Sequence, residues 1–204
     1  MKLLKMAGLA AIAALGLMAF AGAGSASATT LTCTNPPGTK VTCPAGTNVD
    51  LSAESSLLIK AGFANITCTE STIKGKTSNT GSATETVKGN IETLTFSPCN
   101  ATVTVLRKGS LEVHTDEEGI TSGNGTLTGS GTEFTVAVSG VTCTYGTSNT
   151  DLGTLTGSSP KSNATATLDL TADLLKFAGG FLCASPARWE GTYTVTEPDW
   201  LDVD

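Results

Sequence analysis

The stretch G-V-T-C-T-Y-G at residues 140–146, with a weaker echo N-I-T-C-T at 65–69, decides how the rest of the chain is read. In both, an apolar residue, Thr, Cys and Thr follow one another, and a β-strand sends successive side chains to opposite faces. Val141, Cys143 and Tyr145 then share one face, as do Ile66 and Cys68, with the threonines on the other. The cysteines are expected to point into a core. The 65–69 stretch is followed by a Gly/Ser/Thr-rich segment and Cys99, and the 140–146 stretch by another such segment and Cys183. The arrangement reads as one unit used twice.

Strand signals of the same kind recur on both sides. Roughly one residue in six is Thr, and Thr with Val and Ile favours strands while Gly and Ser mark turns. Residues 53–60 (A-E-S-S-L-L-I-K) are the one place where a helix competes; a strand is expected because Gly62 and the Ile66 strand follow at once. Residues 71–75 and 85–89 read as hairpin arms across Ser78-Asn79-Thr80-Gly81, followed by alternation over 91–96 with Leu94 and Phe96 inward. Further strands are expected at 102–106, around Leu111 and Val113, at 126–128, and at 133–138 with Phe134, Val136 and Val138 inward. Turns are expected at 116–119 and at Gly123-Asn124-Gly125. Residues 153–157, 164–177 and 189–196 complete the set, the last with Trp189, Gly191, Tyr193 and Val195 on one side. Short strands at this spacing predict an all-β, antiparallel sandwich or barrel-like domain.

Residues 1–28 read as a secretory signal peptide. Lys2 and Lys5 precede an apolar run over 9–20 too short to span a bilayer, and Ala26-Ser27-Ala28 has the small-x-small cleavage pattern. Residues 29–204 are then a single exported domain with no membrane insertion after cleavage. Within it, 29–48 is a disulfide-closed N-terminal loop with an Asn35-Pro36-Pro37-Gly38 turn, and 199–204 is an acidic tail carrying Trp200, Leu201 and Val203. That tail either covers its own sheet, the favoured reading, or adds to a partner's sheet edge, in which case self-association or an envelope partner would engage the tail or a sheet edge.

All six cysteines lie beyond the leader, an even number that reads as a disulfide framework in an oxidising compartment. Pairing in sequence order respects the apparent duplication: Cys33 with Cys43, Cys68 with Cys99, Cys143 with Cys183. The net charge is −6, and loss of Lys2 and Lys5 makes the remainder more acidic. With no basic cluster, this argues against nucleic acid and anionic membrane surfaces as partners.

Chemistry is sparsely marked. His114 is the only histidine, which excludes multi-His metal sites, and no G-x-S-x-G elbow accompanies it. Its alternation opposite Val113 makes it a surface residue. Asp116, Glu117 and Glu118 before Gly119 read as a solvated acidic turn in place of a calcium loop, since the D-x-D-x-D-G pattern is missing. No catalytic, cofactor-binding or metal residue is assigned and no cofactor is expected. The favoured function is a secreted, non-enzymatic envelope or extracellular interaction protein. Two alternatives stand beside it: a secreted hydrolase using unmarked carboxylates, and a barrel carrying a small apolar ligand among residues such as Phe134, Val136 and Tyr193.

The segment F-L-C-A-S-P-A-R-W-E-G-T-Y-T-V-T-E-P at 181–198, with C-T-Y-G-T at 143–147 and L-T-F-S-P-C at 94–99, resembles a group of secreted, Thr/Gly-rich, uncharacterised proteins of actinobacteria. The resemblance covers most of residues 29–204. It implies the β-rich fold and the exported compartment, and no activity.

Overall fold

The computed structural model describes residues 29–33, 41–53, 56–82, 84–115, 123–158 and 165–204. Residues 1–28, read above as a signal peptide, and the turns expected at 35–38 and 116–119 lie outside the described residues. Every regular element among them is a strand: β1 (Thr29–Cys33), β2 (Val41–Thr42), β3 (Asn48–Ala53), β4 (Leu57–Gly62), β5 (Asn65–Cys68), β6 (Ser71–Thr77), β7 (Gly81–Ser82), β8 (Val87–Phe96), β9 (Thr102–Arg107), β10 (Ser110–Thr115), β11 (Asn124–Ser130), β12 (Glu133–Val138), β13 (Val141–Gly146), β14 (Thr150–Thr156), β15 (Thr167–Ala178), β16 (Cys183–Glu197) and β17 (Leu201–Val203).

Of the two architectures the alternation allowed, the chain adopts a barrel. Strands run in the order β3-β6-β8-β10-β11-β14-β15-β16, each antiparallel to the next, and β16 returns to β3 to close the ring. Period-two patterning builds its two faces. Cross-strand runs such as Val195–Leu51–Ile73–Leu94 and Leu155–Leu168–Tyr193 fill the inside. On the outside, Asn124, Thr156, Thr167, Thr194, Ser52, Thr72 and Thr95 follow one another from strand to strand in an unbroken polar row. Here lies the reason for so much threonine: its branched carbon suits a strand and its hydroxyl suits a wet face. At Gly153 the chain takes φ +133°, and a Cβ there would sit 2.0 Å from the Asp169 carbonyl oxygen. Beside it the β11–β14 register slips at Leu127/Thr128, a bulge of the kind that bends strands in small barrels.

The two longest strands continue past the barrel and diverge. β15 and β16 pair from Thr167↔Thr194 to Leu174↔Ala187. Beyond that point β15 turns to β13, which carries β12 and β9 outward, while the other edge of β16 pairs from Glu190 back to Cys183 with β4, which carries β5. These flaps enclose a second core in which Phe96, Phe134 and Trp189 lie with ring centroids 5.4 to 6.1 Å apart and Tyr193 stands 6.3 Å from Trp189. The Tyr145 hydroxyl donates to the Ala61 carbonyl across the flaps at 3.0 Å. Disulfides Cys68–Cys99 and Cys143–Cys183 staple this half, and Cys33–Cys43 ties β1 to the residue after β2. Pairing follows sequence order, as expected. The two cysteine strands nevertheless hold different places, β5 at an edge of the sheet and β13 within it, so the echo in sequence is not repeated in topology.

At its other end the barrel is plugged by β1 and β17. β1 lies between β2 and β17 and also pairs with β7. Thr30 N–H donates to the Asp204 carbonyl at 2.7 Å and Asp204 N–H returns to Thr30 at 2.9 Å, while Leu31, Leu201 and Val203 turn inward. The tail thus covers its own domain, and the N-terminal segment is part of the same plug.

The strand expected over 53–60 is found, its described residues belonging to the end of β3 and to β4. Other local expectations change. Val87–Phe96 is one strand where a hairpin arm and a separate strand were expected, and its partner β6 pairs from Ser71↔Phe96 to Thr77↔Gly89. Asn124 and Gly125 open β11 rather than forming a turn, because the ladder to Thr115 and His114 begins there. The last long strand starts at Cys183, six residues before Trp189, its early part held by β4.

Candidate functional site

Three places could carry chemistry or binding. The first surrounds His114, which β10 places on the outer face of the barrel with a side chain 37% exposed. The Thr86 hydroxyl donates to Glu112 Oε1, the same oxygen lies 3.9 Å from His114 Nε2, and Thr128 Oγ1 lies 3.4 Å from that nitrogen. A nucleophile–base–acid relay needs the hydroxyl and the carboxylate on different ring nitrogens. Here both approach Nε2, so the cluster is a surface hydrogen-bond group, in keeping with the expected surface histidine. Beside it runs a shallow groove of about 210 Å³ whose lining includes Lys88, Asn90, Glu112 and Thr128 and has no aromatic ring. Among the described residues no group of three or more His, Cys, Asp or Glu side chains could hold a metal ion.

The second place is the barrel interior. A cavity of about 60 Å³ remains between Leu31, Leu51, Ile73, Val87, Leu127 and Leu201. Ligand pockets commonly run from roughly 300 to 1,000 Å³. This space is therefore too small for a carried ligand while the terminal plug is in place. Phe134, Val136 and Tyr193, expected to line such a cavity, are instead packed solid in or beside the aromatic core. Burial pushes the Tyr193 phenol far above its ordinary range, against the smaller opposing effects of Ser71 and Trp189. Its hydroxyl donates to Ser71 Oγ at 2.9 Å, and the Trp189 indole N–H leans toward the phenol without reaching hydrogen-bond geometry. Burial likewise raises the Tyr145 phenol, against the Ala184 backbone N–H. These are structural tyrosines, protonated at any physiological pH.

The third place is where the flaps meet, at the connection Gly179-Gly180-Phe181-Leu182 between β15 and β16. Phe181 is 93% exposed, Phe177 50%, Leu175 45% and Leu182 44%. The connection is tightly built all the same. Cys183 N–H donates to the Gly180 carbonyl at 3.2 Å, Lys176 Nζ reaches the Cys183 carbonyl at 3.4 Å, and the Cys143–Cys183 bridge fixes its base. Gly179 is required there: at φ +122° its missing Cβ would stand 2.3 Å from Cys183 Sγ. A firm turn that holds a phenylalanine in water is unlike the rest of the molecule, whose large apolar side chains mostly sit in the two cores.

The tail 199–204 covers its own sheet, in keeping with the favoured expectation. Leu201 and Val203 are buried in the plug and Trp200 is half-buried, so the two aliphatic residues anchor the tail rather than the indole. Strand alternation alone does not mark the apolar connection at 177–182 as a surface. Its signal was the run F-A-G-G-F-L, apolar residues on both sides of a glycine turn where an ordinary hairpin would be polar. Comparisons with family models, curated proteins and solved structures found no match.

Proposed function

We propose that the protein is exported and acts without catalysis, as an extracellular or envelope interaction protein. The observation that carries this reading is the exposed apolar connection 177–182 on a disulfide-braced scaffold, because surface of this kind marks binding more often than turnover. Three disulfides fit an extracellular protein, and among the described residues no helix is long and apolar enough to cross a membrane. The leader-like 1–28 segment supports export. A screen of glycoside, ester and peptide substrates on the protein starting at Thr29 tests the non-catalytic reading, with no turnover expected. Turnover abolished by an Asp or Glu substitution would establish the hydrolase instead.

A further inference from the structure

We propose that the β15–β16 connection docks the protein on a weakly charged lipid surface, with Phe181 and Leu182 entering the interface and Phe177 and Leu175 behind them. This deepens the interaction reading above and rests on it.

Area is the first argument. The exposed parts of these four side chains amount to roughly 500 Å² at most, since a large aromatic side chain buries on the order of 200 Å². A stable protein–protein contact takes roughly 800 Å² from each partner. A lipid interface has no such threshold of shape and area, and gains from each apolar group that enters it. Form is the second. Phe181 and Leu182 crown the turn, where a protrusion can enter a fluid layer, Leu175 and Phe177 follow on the adjoining end of β15, and the bridge at Cys183 keeps the turn presented without further ordering on contact.

Charge is the third argument, and it selects the lipid. From Leu174 to Ala187 the chain has no carboxylate, although its net charge is −6. The acids that bound this segment along the chain, and Glu133, which lies in the same cross-strand row as Leu175, are each held by a cation: Asp173 by Arg188 at 3.9 Å, Glu190 by Arg188 at 3.2 Å and Lys60 at 2.9 Å, and Glu133 by Arg107 at 3.6 Å. Asp199, Asp202 and Asp204 belong to the segment at the plugged end. The connection therefore meets a surface without presenting acids to it, yet has no basic cluster to seek anionic headgroups. Such a protein lies on the membrane and does not span it.

Flotation with phosphatidylcholine vesicles, with and without added phosphatidylglycerol, tests the proposal directly. The wild type is expected to float with phosphatidylcholine alone, and no better when phosphatidylglycerol is added, since the chain is acidic and has no basic cluster. The double variant Phe181→Asp/Leu182→Asp should lose at least about tenfold in partitioning. Phe181 is 93% exposed, so the single variant Phe181→Asp should keep the melting temperature of the wild type while also losing partitioning, and F181W should shift its emission to the blue on adding vesicles. Failure of the wild type to float, or equal flotation of the double variant, overturns the proposal. So does a dimer in sedimentation equilibrium that the double variant abolishes without any vesicle binding, which would make a second copy the occupant. The substrate screen is independent of all these outcomes, so loss of the lipid proposal and loss of the non-catalytic reading are told apart.

Discussion

The two ends of this molecule solve the same problem with different means. Around the barrel every strand has two neighbours, so no edge is left open, and the mouth is covered by β1 and β17 through backbone hydrogen bonds and a few aliphatic side chains. The flap half ends in two edge strands, β5 and β9, and carries the two bridges that close the longest loops. Cys68–Cys99 ties the end of β5 to the chain just before β9, and the Asn100 side chain accepts from Thr67 N–H at 2.9 Å in the same place. Covalent closure thus stands in where hydrogen-bonded closure stops. A sheet that cannot complete its ring must spend something on its edges, and here it is cysteine.

The comparison breaks most visibly at the plug. Deleting 199–204 removes buried Leu201 and Val203, and should lower stability by about 4 kcal/mol at roughly 2 kcal/mol per buried aliphatic side chain. Urea titration measures the loss. Exposure of the cavity beneath should appear as dye binding, with the oligomeric state unchanged by light scattering; dissociation of an assembly would instead make the tail an intermolecular strand.

Next in size are the bridges. Replacing either Cys68/Cys99 or Cys143/Cys183 with alanines should cost about 4 kcal/mol or somewhat less, and replacing Cys33/Cys43 about 1 kcal/mol less than that, because its loop is shorter. Denaturant midpoints for the three double variants rank them. If the terminal bridge proves the most costly, the contrast between a self-closed barrel and a stapled flap half fails.

A smaller effect is expected in alkali. The folded state holds the Tyr193 phenol protonated well above the ordinary tyrosine range because of burial. An unfolded tyrosine ionises near pH ~10. The stabilisation is therefore complete below about pH 10 and is lost as pH rises from there toward the folded-state value, at up to about 1.4 kcal/mol per pH unit. Tyr193→Phe should flatten this alkaline loss while costing about 1 kcal/mol at neutral pH for the hydrogen bond to Ser71. The pH dependence of the denaturant midpoint checks both. Smallest of all, His114→Ala should change stability by no more than about 0.5 kcal/mol, as befits a part-exposed side chain on the polar face; a larger change by the same titration would mark the His114 cluster as more than surface.

What could be read without the structure was local or combinatorial. Alternation at Val141–Tyr145, Phe134–Val136 and Trp189–Val195 placed strands and their buried faces, because the two-residue period is a property of the strand backbone itself. Cysteine parity and order led to the observed bridges. The candidate docking surface was less legible. Exposure of Phe181 follows from where β13 and β4 take up the ends of β15 and β16, a consequence of pairings between residues 29 or more positions distant. The same holds for barrel against sandwich, decided by β16 pairing with β3 at Val195↔Leu51, and for the tail, whose Leu201 and Val203 became core only because β1 was there to pair with. Alternation assigns a side chain to a face, but whether that face is covered depends on which distant strand lies opposite, and only the closing of the sheet supplies it.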